Sequence, residues 1–316
     1  MPDRPHPGAA TSEGRQALTV ADVRRRLNGA LRREQLDRLD LAHEDQVDLL
    51  AAAAEVLERA EDLAVVGVLR DRLLERLGRI ETATHGGGEV WAGLPDPPEG
   101  QPAGLLPVLA LLVTAPDVRA FHASRAVPAA VSWASMGDLG HQVRVHRLLR
   151  GRFGLGTAWW LSLVWSGAFY RLGRLQLNLQ PAPDDPGSWV LDTHIPRGGS
   201  LEPAQVDASF AAARAFFATH FPERPVRDVV CHSWLLDPAL GELLPGSNLA
   251  SFQTRWVPYG EPAPGDGDVL SFVFLRDAAT PPAPLPTDTR LRRVVANRLA
   301  AGEHWSVVSG RLAVLP

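Results

Sequence analysis

The stretch LDTHIPRGGSLEP (191–203) runs from an alternating segment through a Pro-Gly loop to a proline that opens a helix. Leu191 to His194 alternate in character, which suits a strand. Ile195-Pro196-Arg197-Gly198-Gly199-Ser200 then form the loop. Pro203 begins an Ala-rich segment carrying Val206, Phe210, Ala213, Phe217 and Phe221 at helical spacing. Proline is favoured at a first helical turn, where its missing N–H has no intrahelical acceptor to lose. Strand, glycine loop and helix start together make an anion site, because free backbone N–H groups and the helix dipole converge there. CHSWLLDP (231–238) and GSNLASFQTRW (246–256) repeat the arrangement with a strand over 226–234 and a helix from Ser247-Asn248. Two such turns side by side would let a long phosphorylated cofactor lie across the sheet.

Outward from this stretch the two halves of the chain differ in period. Thr19 caps a helix through Val23 and Leu27, and 31–41, 44–59 and 63–78 read as further amphipathic helices. In the third, Val47, Leu50, Ala54 and Leu57 form the apolar stripe. A Gly- and Pro-rich loop covers 85–104, followed by helices at 105–113, 117–125 and 136–150. Beyond Arg150 the period becomes two. Strands are predicted over 159–165 and 170–180, with a turn at 184–187 leading into a strand over 188–195. The order continues with helix 203–220, strand 226–234, helix 247–256, strand 268–275, helix 288–301 and strand 305–315. The fold class is therefore α+β: a tail over 1–16 expected to be disordered, a helical domain over 17–135, and a mixed-sheet domain over 136–316.

Composition narrows the function classes. A chain of 316 residues has room for two cores, and 45% hydrophobic with 22% charged residues is ordinary for a globular protein. All 32 basic residues are Arg, beside many Ala, Gly and Pro, which reflects a GC-rich coding sequence more simply than an arginine-specific function. A formal net charge of −4 argues against a generic nucleic-acid surface. One cysteine, Cys231, excludes an internal disulfide and any cysteine-rich metal site. Residues 1–16 lack the apolar core of a signal peptide, and the apolar run 105–113 is too short to span a bilayer. The expectation is a cytoplasmic protein without a membrane partner.

The run LGRLQ (172–176), HIPRGGSL (194–201), CHSWLLDPAL (231–240) and SNLASFQ (247–253) resembles bacterial acyltransferase-like proteins with a GNAT-like C-terminal domain behind a helical N-terminal domain. The resemblance covers most of 136–316. It implies a GNAT-type fold and transfer of an acyl group from acetyl-CoA or another acyl-CoA to a small-molecule amine by direct attack. The alternative of a different class is a non-catalytic GNAT-like module that binds a small ligand or partner, since fold alone does not establish activity.

The resemblance implies that Arg197, Gly198, Gly199 and Ser200, with Ile195 before them, hold the CoA pyrophosphate. They match the usual Q/R-x-x-G-x-G/A pattern loosely, and a plain turn before a helix is the competing reading. Asp192 and His194 are two apart, so on a strand they share a face. An acceptor amine must lose a proton, and histidine titrates in the range that suits this. His194 is the candidate base, with Asp192 positioning it or contacting substrate; a structural histidine near a strand end is the alternative. Cys231 and His232, being adjacent on a strand, point to opposite faces and cannot form an ordinary dyad. Cys231 reads as a buried small apolar residue, whereas His232 and Trp234 are candidates to line the acceptor pocket. By resemblance Asn248 helps hold the pantetheine arm; either it or Ser247 could instead cap the next helix. Tyr259, after Pro258, is the candidate general acid for the leaving thiolate, as a tyrosine is in many GNAT enzymes. His141 and His146 are five apart, a poor spacing for two ligands on one helical face, and no metal is expected.

Overall fold

The computed structural model describes residues 17–80, 88–94, 97–182, 185–276 and 284–312, and the chain divides into two units, Met1–Phe169 and Tyr170–Pro316. The expected tail over 1–16 lies outside the described residues, as does part of the loop over 85–104.

The first unit is helical. Its described elements are α1 (Val20–Ala30), α2 (Arg33–Arg38), α3 (His43–Glu58), α4 (Ala60–Arg76), α5 (Leu105–Ser124), α6 (Ala129–Met136), α7 (Asp138–Arg150) and α8 (Ala158–Val164). Thr19 caps α1 as its sequence requires: its side chain accepts from the Asp22 N–H, and the Asp22 carboxylate accepts from the Thr19 backbone N–H. The buried face of α3 differs from the expected one. Val47 and Leu50 are exposed, at 53% and 43%, and the core takes Leu49, Ala53 and Val56 together with Asp45 and Gln46. Two polar residues on the inward face disguised it. Both have partners there: the Gln46 amide donates to the Leu41 carbonyl (2.9 Å) and Asp37 (2.7 Å), and Asp45 accepts from Arg147 of α7 (2.6 Å).

Helix α5 fuses the two helices expected at 105–113 and 117–125, passing through Pro116. Interior proline removes one helical hydrogen bond; Pro116 itself is exposed, and burial of most residues from Leu105 to Ala115, with Val118 and His122, holds the helix together. By length and composition α5 could cross a membrane, yet 67% of its apolar window is buried in the protein. Residues 159–165, expected as a strand, lie in and just beyond α8. An apolar run this short does not reveal its period. Here Leu161–Val164 are all buried, Trp165 N–H donates to the Leu161 carbonyl, and the Trp165 indole N–H reaches the Leu111 carbonyl at 3.1 Å. That helix carries the first unit through Phe169, so the division falls about thirty residues later than the sequence reading placed it, at 135/136.

The second unit is a mixed sheet in the order β1-β2-β3-β4-β6-β5, with β1 (Phe169–Leu172), β2 (Leu175–Ala182), β3 (Asp185–His194), β4 (Val226–Ser233), β5 (Trp256–Pro264) and β6 (Ser306–Leu312). Neighbours are antiparallel for β2/β3, β4/β6 and β5/β6, and parallel for β3/β4. Helix α9 (Pro203–His220) makes the crossover between β3 and β4 and lies against β2 and β4, burying Val206, Phe210, Ala213, Phe216 and Phe217. Tyr170 of β1 packs its ring against those of Phe216, Phe217 and Phe221. The remaining helices are α10 (Pro238–Leu243), α11 (Asn248–Gln253), α12 (Asp266–Phe274) and α13 (Arg290–Ala300).

Two elements depart from the sequence reading. Residues 268–275 were expected as a strand and form most of α12, with Val269 and Val273 buried one turn apart. Asp266 and Asp268 sit in its first turn, where the helix dipole favours negative charge. Leu275 ends it in the left-handed conformation, φ 53°. Helix α11 stops at Gln253, and the next residues make β5 rather than more helix. Its prolines at 258, 262 and 264 conceal a strand, but β5 is the terminal strand of the sheet, where proline is tolerated.

Candidate active site

The sheet presents one polar face, fixed by register. Asn178 pairs with Asp192, Gln176 with His194, Asp192 with Val230, His232 with Ser309, and Ser309 with Tyr259. Paired residues share a face and strands alternate. Gln176, Asn178, Asp192, His194, His232, Ser309 and Tyr259 thus form a polar row, while Leu177, Leu179, Leu191 and Cys231 face the other way. Cys231 is fully buried there, its thiol pushed well up by burial and then by the charge of Asp192, which leaves it inert as a nucleophile.

Asp192 and His194 stand together as expected, His194 Nε2 lying 3.6 Å from Asp192 Oδ2. Asp192 is buried, and burial raises its carboxyl to about 7 against a smaller lowering by a backbone hydrogen bond at Thr193. Burial, then the nearby His232, pushes the His194 imidazole down to about 3. Among the described residues Asp192 Oδ1 and Asn178 Oδ1 are buried without a hydrogen-bond donor, and they occupy paired positions on β3 and β2. Two unmet acceptors beside an imidazole suit a group that brings N–H donors.

The β3/β4 ladder ends at Asp192/Val230, although β3 runs on to His194 and β4 to Ser233. The two strands part at the level of His194 and His232. Just past this parting the loop turns through Gly198 and Gly199 at φ 87° and 75°, values that glycine adopts freely and other residues rarely do. Gly198, Gly199 and Ser200 are exposed, and Ile195 is half-buried. Arg174 braces the loop from below, donating Nε to the Ser200 carbonyl (2.9 Å) and Nη2 to that of Gly199 (3.3 Å). Arg197 donates to the Phe272 carbonyl and Arg292 to that of Val273 (3.3 Å), both at the end of α12. Burial lowers Arg197, and the like charge of Arg292 lowers it further. Arg174 thus braces the glycine turn, while Arg197 and Arg292 are anchored at the end of α12, where Arg292 also pairs with Asp288 (3.0 Å).

Ser247, not Asn248, caps α11, accepting from the Ala250 N–H at 3.1 Å. Asn248 is left to reach across to the loop, donating Nδ2 to Ser200 Oγ and to Glu202 Oε1, each at 2.7 Å. The two strand-to-helix turns are thereby joined.

Tyr259 lies within β5 and not at a helix end, so it shares the sheet face with His232; the rings are 6.1 Å apart and the phenol oxygen is 3.5 Å from His232 Nε2. His232 Nδ1 is 2.8 Å from Ser309 Oγ. Arg311 stacks over the Tyr259 ring at 5.5 Å. Trp234 stands apart from this row: it opens a 3-10 turn, is buried, and packs edge-on against Trp305. The sequence reading missed Arg174, Arg292, Asn178 and Ser309. Only the alternation of Gln176, Asn178 and Gln180 along β2 hinted at a polar face. Among the described residues no three His, Cys, Asp or Glu side chains gather into a metal site.

A helical unit followed by a mixed sheet with a parted parallel pair, a glycine turn and a histidine beside it defines a GNAT-like acyltransferase. The N-acyltransferase N-terminal domain model matches residues 31–167 and the GNAT-like C-terminal domain model matches 169–312. A crystal structure of an acyltransferase with decanoyl-CoA is 33% identical, covers 95% of this chain and 100% of its own, and has a TM-score of 0.79. A mutant acyltransferase with octanoyl-CoA is 33% identical over 90% of this chain and 87% of its own, TM-score 0.80. An acyltransferase with decanoyl-CoA and teicoplanin is 30% identical over 97% and 91%, TM-score 0.77. No curated protein sequence matches. The chain belongs to this family of acyltransferases, with a helical N-acyltransferase domain and a GNAT-like domain. It is an acyl-CoA-dependent N-acyltransferase.

Proposed function

We propose that the enzyme moves a medium-chain acyl group from acyl-CoA to the amine of an acceptor of the teicoplanin kind, with His194 as base. The observation that carries this reading is the Asp192–His194 pair, 3.6 Å apart, where β3 and β4 separate. Solved relatives hold octanoyl-CoA, decanoyl-CoA and teicoplanin, which sets the substrate classes to try first.

Arg197, Gly198, Gly199 and Ser200 receive the pyrophosphate, the glycines letting phosphate approach the backbone and Arg197, Arg174 and Arg292 supplying positive charge. Asn248 fixes Ser200, and Ile195 supplies apolar contact where the pantetheine enters. Backbone N–H groups of β4 past Val230 polarise the thioester carbonyl. The neutral acceptor amine donates one N–H into the Asn178 Oδ1–Asp192 Oδ1 pair and turns the other toward His194. The imidazole is neutral at working pH and takes the amine proton as the new amide bond forms. Ionised Asp192 beside it then stabilises the imidazolium. The C–S bond breaks, and Tyr259 protonates the departing thiolate. His232 lines the same face; Trp234 supports it from the core.

The test is release of free CoA thiol from acetyl-, octanoyl- and decanoyl-CoA, with an amine-bearing teicoplanin core as acceptor. Faster turnover with the two longer donors and an acylated product agree with the proposal. Turnover confined to acetyl-CoA, or no product with this acceptor, contradicts it.

A further inference from the structure

Glu202 is the exposed residue between the glycine turn and α9, with Pro203 directly after it. Its Oε1 accepts from the Ser200 hydroxyl at 3.1 Å and from Asn248 Nδ2 at 2.7 Å. Asn248 Nδ2 also donates to Ser200 Oγ at 2.7 Å. One carboxylate oxygen therefore takes a donor from each of the two strand-to-helix turns. Glu202 makes no side-chain hydrogen bond to the first turn of α9, so it is not held there as a cap. Arg255 is committed to Asp207 within α9, and among the described residues no guanidinium pairs with Glu202. A bare negative charge thus stands at the edge of the loop.

We propose that Glu202 is a built-in rival of the CoA pyrophosphate: its carboxylate holds the Ser200 and Asn248 donors that the phosphate takes, which weakens donor binding and speeds release of product CoA. This rests on the reading of residues 197–200 as the pyrophosphate loop. A phosphate seated there accepts from the Ser200 hydroxyl, whose single proton Glu202 already holds. It also meets a second negative charge at a helix start, where the dipole favours one anion. The Glu202 side chain must therefore turn out to solvent as the pyrophosphate arrives. Pro203 keeps the backbone of Glu202 out of the helical region, at ψ 128°, so only side-chain torsions need move. Once the acyl group has been transferred, the carboxylate reclaims both donors and CoA departs.

Full-length wild type, Glu202→Gln and Glu202→Ala are titrated by calorimetry with CoA, decanoyl-CoA and decanoyl-pantetheine, which carries no phosphate. Unfolding temperatures are taken on the same preparations; the substituted side chain is exposed, and both variants should fold. The rivalry predicts that Glu202→Gln binds CoA and decanoyl-CoA roughly fivefold tighter, the effect of removing one unit charge close to another in water. Glu202→Ala should gain at least as much, because the Ser200 hydroxyl is then released as well. Both gains should shrink as salt rises, and decanoyl-pantetheine should bind all three proteins alike. Stopped-flow measurement should show CoA leaving both variants more slowly. Unchanged or weaker CoA binding in either folded variant, CoA release no slower than in wild type, or an equal gain for decanoyl-pantetheine overturns the proposal. Wild type that binds decanoyl-CoA no better than decanoyl-pantetheine refutes the pyrophosphate reading itself, and the rivalry falls with it; a clear preference for decanoyl-CoA without a gain in the variants refutes the rivalry alone.

Discussion

Asp192 and His194 stand 3.6 Å apart on one face of β3, and burial drives their ionisation in opposite senses, the carboxyl up to about 7 and the imidazole down to about 3. Both are therefore neutral in slightly acidic solution, and a proton arriving on the imidazole is best tolerated once the carboxylate has ionised. A base of this kind should work better as pH rises through 7.

The same pair predicts a stability signature. Between about pH 4 and 7 folded Asp192 keeps a proton that the unfolded chain has released, so its contribution is fully present below about pH 4 and is lost as pH rises through 7. His194 and the buried His122, the latter lowered to about 4, have the opposite slope: their contributions are lost as pH falls below the unfolded value of 6.5. The total curve therefore mixes signs, and the difference between wild type and Asp192→Asn isolates the carboxyl. Thermal unfolding across pH 4 to 8 should show Asp192→Asn gaining on wild type with rising pH, by on the order of a few kcal/mol at the alkaline end. A difference that stays flat over this range contradicts the buried-carboxyl account. Activity of Asp192→Asn should fall as well, since asparagine cannot support the imidazolium.

Arg197→Ala should weaken acyl-CoA binding about tenfold, the equivalent of one charge-assisted hydrogen bond of roughly 1.5 kcal/mol. The loss should shrink as salt rises and screens the exposed charge. Calorimetry with CoA and dephospho-CoA assigns the contact: equal losses place Arg197 at the pyrophosphate, and a loss confined to CoA places it at the 3′-phosphate. Wild-type affinity for both ligands in a well-folded variant would make this loop a turn only.

In the first unit, Arg147 of α7 grips Asp45 of α3, whose side chain is fully buried, and Asp48 at 2.5 Å. Removing the cation strands a buried carboxylate, so Arg147→Met should destabilise the protein by about 3–5 kcal/mol. Adding Asp45→Leu should recover most of that loss, because the uncompensated charge goes with it. Denaturant unfolding of the two variants checks this. A single variant as stable as wild type would show the pair to be unimportant.

Much of this was legible in the sequence, and the failures have common causes. The alternation of Leu175, Leu177 and Leu179, the glycine pair at 198 and 199, and Pro203 each mark their element by local chemistry, and the structure has β2, the loop and α9 there. Residues 159–165 and 268–275 are short and mostly apolar, so their period is hidden, and tertiary packing made both largely helical. Strand β5 was hidden by prolines that an edge strand tolerates. The site suffered in proportion. Asp192 and His194 are neighbours along one strand and could be paired by counting. Ser309 and Tyr259 come together only through the register of β6 with β5, which no local pattern records. Arg174 reaches the loop from the turn before β2, and Arg292 reaches the end of α12 from α13, each of them one Arg among 32.

The central claim is that His194 is the base, and the most direct measurement is His194→Ala assayed with decanoyl-CoA and an amine acceptor. The acyl-CoA dissociation constant and unfolding temperature are measured on the same preparation. The account predicts a fall in kcat of about 10²–10⁴-fold, typical of a lost general base, with acyl-CoA affinity and folding unchanged. Near wild-type turnover across the pH range in a folded His194→Ala protein would contradict it.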